Sequence, residues 1–203
     1  MAAVGLPATR SHDAEWLFFF GRVLYKSIIR GAVMSSELRV FAYGTLKRGF
    51  PNHDTHCAGV LRTYPAWLQG RLFKLSSEIP AMIVPDEDIL VHGTASVAAD
   101  IEAQEKFESF LPTRQAGGPG SSGASSWGKV RGELLIFNDP ETRLPLLDSL
   151  EEFQPGCPST YIRALVFITL PGGSQTSAWT YIAGFDPTGL EEYARESWDR
   201  SVC

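Results

Sequence analysis

Two stretches of this chain carry groups that could do chemistry without help from a cofactor. The first is residues 38–53, Leu-Arg-Val-Phe-Ala-Tyr-Gly-Thr-Leu-Lys-Arg-Gly-Phe-Pro-Asn-His. It reads as a short apolar strand (Val40, Phe41, Ala42, Tyr43) that breaks at Gly44 into a loop punctuated by Gly49 and Pro51. A strand that stops so abruptly leaves backbone N–H groups without ladder partners, a ready seat for a carboxylate or a developing oxyanion. The plainer reading is a tight turn after a strand.

The second stretch is residues 139–153, Asp-Pro-Glu-Thr-Arg-Leu-Pro-Leu-Leu-Asp-Ser-Leu-Glu-Glu-Phe. Asp139 suits an N-cap and Pro140 the first helical position. At about 100° per residue, with Leu144 at zero, Leu147, Leu150, Leu146 and Phe153 define an apolar arc from about 300° to about 180°. Asp148, Ser149 and Glu152 fall on the polar side. Glu151 falls at about 340°, between Leu144 and Leu147. A carboxylate at that edge is partly desolvated, which raises its pKa and favours proton exchange near neutrality. On the residues alone, a snorkelling Glu151, or one paired with a buried arginine such as Arg163, fits as well.

Other candidates carry less. His53, His56 and Cys57 are close in sequence, but no second ligand pair at metal spacing accompanies them, so no metal site is expected. Cys57 and Cys157 lack an activating partner and read as buried small residues. Gly-Thr-Leu-Lys-Arg-Gly lacks the Gly-Lys-Ser/Thr ending of a phosphate loop.

The run Val-Phe-Ala-Tyr-Gly-Thr-Leu-Lys-Arg-Gly followed by Pro-Asn-His resembles the signature of the γ-glutamylcyclotransferase-like family, most similarly its γ-glutamylaminecyclotransferases. Leu147-Asp148-Ser149-Leu150-Glu151 and Tyr161-Ile162-Arg163 resemble that family's Leu-Asp-x-x-Glu and Tyr-x-Arg patterns. The resemblance spans roughly residues 38–183. It implies a cofactor-free conversion of a γ-glutamyl amine, such as γ-glutamyl-ε-lysine, to 5-oxoproline and free amine. Glu151 is then the general acid/base. Tyr43, Gly44, Thr45 and Leu46 supply the substrate cradle. Tyr161 either lines the pocket or packs the barrel, and His53 has a structural part in the Pro-Asn-His turn. The departure is Glu152, where the family often has glycine or a small residue; the run to Cys157 leaves the helix end open and Glu152 as a rival acid. Glutathione or γ-glutamyl dipeptides are alternative substrates, and a non-catalytic small-molecule or protein-binding barrel is the alternative from another class.

The elements that must position these groups read as an α+β protein. Strands are expected at 67–75, 89–97, 130–137 and 160–170 with 177–183, the last two joined across residues 171–174. Pro80 confines the piece 79–84 to an edge or bend. Helical character appears at 100–111 and near 188–198. Many short strands with helices outside point to a small closed or partly closed β-barrel with flanking helices, the fold that the resemblance also implies. Residues 112–128 read as a flexible insertion, rich in glycine and serine at 116–128. Residues 1–33 read as an extension upstream of Met34 with no assigned chemistry, and residues 34–203 as one domain.

Composition sets the outer bounds. The 203 residues, 44% of them hydrophobic, are enough for one substantial core. A formal charge of −5 argues against nucleic acid as a partner. No run reaches the ~18 apolar residues of a transmembrane segment. The three cysteines, Cys57, Cys157 and Cys203, are scattered, which fits a reducing, cytoplasmic setting.

Overall fold

The computed structural model describes residues 37–75, 79–111, 127–187 and 189–199. The expected N-terminal extension and nearly all of the glycine- and serine-rich insertion lie outside them.

Five strands close on one another. β1 (Leu38–Ala42) lies between β5 (Gly128–Phe137), antiparallel, and β7 (Gln175–Ala183), parallel with Val40 opposite Trp179. β6 (Tyr161–Thr169) pairs with β7 along its whole length. β2 (Arg62–Lys74) pairs with β5 and reaches β6 where Trp67 faces Thr169, which closes the barrel. β3 (Pro80–Ile83), β4 (Ile89–His92) and β8 (Glu191–Tyr193) extend it at the sides. Among the described residues three α-helices complete the fold: α1 (Pro51–His56), α2 (Val97–Ser109) and α3 (Pro140–Leu150). This is a closed barrel in an α+β arrangement.

Alternation along the strands sorts the core into two layers. Phe41, Leu68, Leu134, Val166 and Ala178 belong to a cluster made almost wholly of strand residues, the barrel interior. Leu38, Val40, Leu135, Leu165 and Trp179 pack on the other side with Ile101 of α2 and Leu144 and Leu147 of α3. β1 is therefore apolar on both faces. The long β2 leaves the barrel near Gly70, where an added Cβ would lie 2.7 Å from the Ile83 carbonyl oxygen. Beyond that point it pairs with β3 and β8 instead of β5. β3 sits at the edge with Pro80 as its first residue, where the missing N–H costs no ladder bond.

Several local expectations need correcting. The helix expected near 188–198 is not found over residues 189–198: Glu191–Tyr193 is a strand on β2, with Leu72 opposite Tyr193. Its anchor is tertiary, the fully buried Trp198 ring against Tyr193 at 4.8 Å. The strand expected to run to residue 97 ends at His92, because Ser96 caps α2 by accepting from Ala99 N at 3.3 Å. The Pro-Asn-His turn is the helix α1, with Pro51 at its first position. Cys157 is exposed, not buried. Among the described residues no helix is long and apolar enough to cross a membrane.

Candidate active site

The loop after β1 is held from three directions. Lys47 N donates to Gly44 O at 3.1 Å, closing a tight turn. From α1, Asn52 Nδ2 donates to Thr45 Oγ1 at 3.0 Å, and His53 Nδ1 lies 2.8 Å from Leu46 O. The Lys47 ammonium is itself buried, bonded to the Trp198 carbonyl and to Ser197 Oγ at 3.0 Å. His53 thus has a structural role. The N–H groups of Gly44, Thr45 and Leu46 donate to no other described residue, while Leu46 O accepts from the Cys57 thiol at 3.7 Å. Burial pushes that thiol up to about 11, so it is a poor nucleophile.

Gly44 has a steric reason to lack a side chain, since a Cβ there would meet Pro80 Cγ at 2.7 Å. Gly44→Ala is expected to cost about 1–3 kcal/mol by overpacking. A urea titration against wild type checks this.

On the opposite wall, α3 delivers Glu151. Asp139 occupies the N-cap position but makes no capping bond; its carboxylate instead takes Arg143 at 2.9 Å, and Arg143 reaches the His56 and Ala58 carbonyls. That arginine ties α3 to the end of α1. The buried stripe of α3 is Arg143, Leu144 and Leu147, with Asp148 and Glu151 half-buried beside them. Leu146, placed in the apolar arc by the wheel, is 46% exposed, and Asp148, placed on the polar side, faces inward. Glu151 is no longer a helical residue but the C-cap, and its N–H donates to Leu147 O at 3.0 Å. Phe153 N donates to Asp148 O at 2.9 Å, the six-to-one bond of a Schellman ending.

Glu152 is consequently the left-handed residue of that ending, at φ 53°, and the single non-glycine residue with positive φ among those described. Glycine is the usual occupant there. Glu152→Gly is expected to stabilise the fold by about 1 kcal/mol, or roughly 2–4 °C in melting temperature, which calorimetry reads directly. Glu152 is exposed and does not line the cavity, so it is no rival to Glu151 in position.

Between these walls lies a cavity of about 100 Å3. Its lining brings together all six residues singled out from the sequence: Tyr43, Gly44, Thr45, Leu46, Glu151 and Tyr161. The Glu151 carboxylate makes no hydrogen bond or ion pair with another described residue, and burial alone pushes it up to about 7. Arg163 does not pair with it. That guanidinium is held by Asp100 and by Asp148, the latter at 2.6 Å. Tyr161 both packs the core and lines the cavity, its hydroxyl donating to Pro80 O at 2.9 Å. Burial, then the charge of Glu151, raises its pKa.

Two lining residues with polar side chains, Asn52 and Tyr181, escaped the sequence. Asn52 stands in the Pro-Asn-His run and its spacing of seven from Thr45 could have suggested the contact. Tyr181 carries no local signal. Among the described residues, no group of three or more His, Cys, Asp or Glu side chains is arranged to hold a metal ion.

Comparison with known proteins agrees with the opening motif. The family model described as gamma-glutamyl cyclotransferase, AIG2-like, matches residues 40–110 and 105–200. No curated protein matches the chain. Solved structures with a similar fold are distant. A mouse AIG2-like protein is 20% identical at a TM-score of 0.46, over 80% of this chain and 88% of that one. YkqA from Bacillus subtilis is 15% identical at 0.45, over 80% and 39%. A yeast gamma glutamyl cyclotransferase specific to glutathione is 12% identical at 0.41, over 72% and 69%.

Proposed function

Because the chain belongs to the gamma-glutamyl cyclotransferase, AIG2-like family, we propose that it cyclises γ-glutamyl amines, such as γ-glutamyl-ε-lysine, to 5-oxoproline and free amine, with Glu151 as general acid/base. The observation that carries this reading is the unpaired, half-buried Glu151 carboxylate in one cavity with the free N–H groups of residues 44–46. A binding barrel has no need to hold a carboxyl near neutrality with no partner; an acid/base catalyst does.

The chemistry follows from those two walls. The substrate's own α-amine is the nucleophile, so the protein must hold the ring-closing conformer. The Gly44, Thr45 and Leu46 N–H groups suit the substrate carboxylate or the oxyanion that forms as the amine adds to the γ-carbonyl carbon. Glu151 takes a proton from the α-ammonium, which frees the lone pair that forms the new C–N bond. It gives that proton to the departing nitrogen as the old C–N bond breaks, and ends as it began, while the second proton shed by the ring nitrogen leaves on the released amine as its ammonium. A carboxyl titrating near 7 can serve in both directions.

The test is 5-oxoproline release from γ-glutamyl-ε-lysine, γ-glutamyl dipeptides and glutathione. Release from the first at the highest kcat/KM is the expected result. Preference for a dipeptide or glutathione would keep the reaction and overturn the substrate. No release from any of them would leave a binding barrel.

A further inference from the structure

The destination of three phenolic protons decides what the wall around Glu151 can bind. Tyr43 donates to Tyr181 O at 2.8 Å, Tyr161 to Pro80 O at 2.9 Å, and Tyr181 to Asp148 Oδ1 at 2.8 Å. A phenol has one proton, and once it is committed the oxygen can only accept. The hydroxyl oxygens of Tyr161 and Tyr181 receive no hydrogen bond from a described residue, so their accepting capacity is unspent. Both line the same cavity as Glu151. With the Glu151 carboxylate they make a wall that offers acceptors and no donor.

The other wall has the opposite character. Free N–H groups line it, and Thr45 Oγ1 already accepts from Asn52, so its own proton is left to donate. Acceptors on one side and donors on the other complement a zwitterion: a cation that can only donate, and a carboxylate that can only accept.

Tyr181 is the most firmly set of the acceptors. Its partner Asp148 is fixed through its other oxygen by Arg163 at 2.6 Å, and Arg163 is 1% exposed and also held by Asp100. The chain Asp100–Arg163–Asp148–Tyr181 runs from the buried core to the cavity and keeps the tyrosine proton pointed away from the ligand. We propose that Tyr181 is a specificity-determining acceptor for the α-ammonium of the bound amino acid head, and that Asp148 is the residue that positions it. This rests on the γ-glutamyl reading above, and it names the group that selects an α-amino acid over its des-amino counterpart.

The test separates the two claims. Titration calorimetry compares L-glutamate, which has the head group but no amine to release, with glutarate, which lacks the ammonium. Wild type is expected to favour L-glutamate by about tenfold or more, the scale of a hydrogen bond to a charged group. Tyr181→Phe should cut that ratio severalfold and leave glutarate within about twofold, since one hydroxyl is lost from the acceptor wall alone. Asp148→Asn keeps the tyrosine ring and should also cut the ratio, because an amide can turn the phenolic proton towards the ligand. Thr45→Val, on the donor wall, should weaken both ligands together. An unchanged ratio in Tyr181→Phe overturns the proposal, as does a wild-type protein that shows no preference. If Tyr181→Phe fails to fold, an unchanged ratio in Asp148→Asn overturns it instead. Amine-selective binding without 5-oxoproline release would sink the enzyme reading and spare this one.

Discussion

Glu151→Gln is expected to lower 5-oxoproline release by about 100- to 10,000-fold, the usual worth of a positioned acid/base, with the fold intact. Glutamine keeps the shape and cannot carry the proton. The same substitution should make the protein more stable at alkaline pH. In the folded state burial raises the carboxyl from its ordinary 4.5 to about 7. A carboxyl raised on folding contributes its full stability below about pH 4.5, where both states are protonated. That contribution is lost as pH climbs through 7, because the unfolded chain ionises freely and the folded one resists. The difference approaches about 3 kcal/mol. Wild type should therefore lose stability relative to Glu151→Gln between pH 5 and 8, in paired urea titrations across that range. The rate should show an acidic limb near pH 7, where the base form of Glu151 appears. Release that survives in Glu151→Gln would remove it from the mechanism.

Arg163→Met is expected to destabilise the protein by about 3–5 kcal/mol, the cost of stranding a buried partner charge. The guanidinium is buried between the rings of Phe153 and Trp179, at 5.2 and 5.3 Å, and donates to Thr94 O at 2.9 Å. Gly93 makes room for it, since a Cβ there would meet Arg163 Nη2 at 2.9 Å. Without the arginine, Asp100, 1% exposed, keeps only its bonds from Thr94. Adding Asp100→Asn should recover a large part of the loss, because the stranded charge is the costly element and not the missing bridge. Denaturation of the single and double variants distinguishes these. A single variant within about 1 kcal/mol of wild type would show the network to be worth little. The same loss frees Asp148, whose carboxyl burial pushes up and Arg163 holds down.

How far the site could be read before the fold was known depends on the range of each interaction. Tyr43, Gly44, Thr45 and Leu46 stand in one run, and a strand broken by glycine announces its own free N–H groups. Pro80 at an edge, the hairpin across 171–174 and the start of α3 at Pro140 are likewise set by neighbours in sequence. The wheel places Glu151 beside Leu144 and Leu147, yet it centres the apolar arc too far towards Leu146. The buried stripe takes in Asp148 and leaves out Leu146, because Arg163 and Tyr181 offer the carboxylate partners that no pattern within α3 can announce.

The sequence by itself determined the barrel class, the loop after β1, and that Glu151 falls beside the apolar residues of α3. The tertiary structure alone decided that Arg163 pairs with Asp100 and Asp148 and so leaves Glu151 unpaired, and that Tyr181 joins the cavity. The reason is physical. Alternation tells that Tyr181 and Ile182 point to opposite faces of β7, but both faces of that strand are buried. Only the packing of α3 against one of them makes that face the lining of a site.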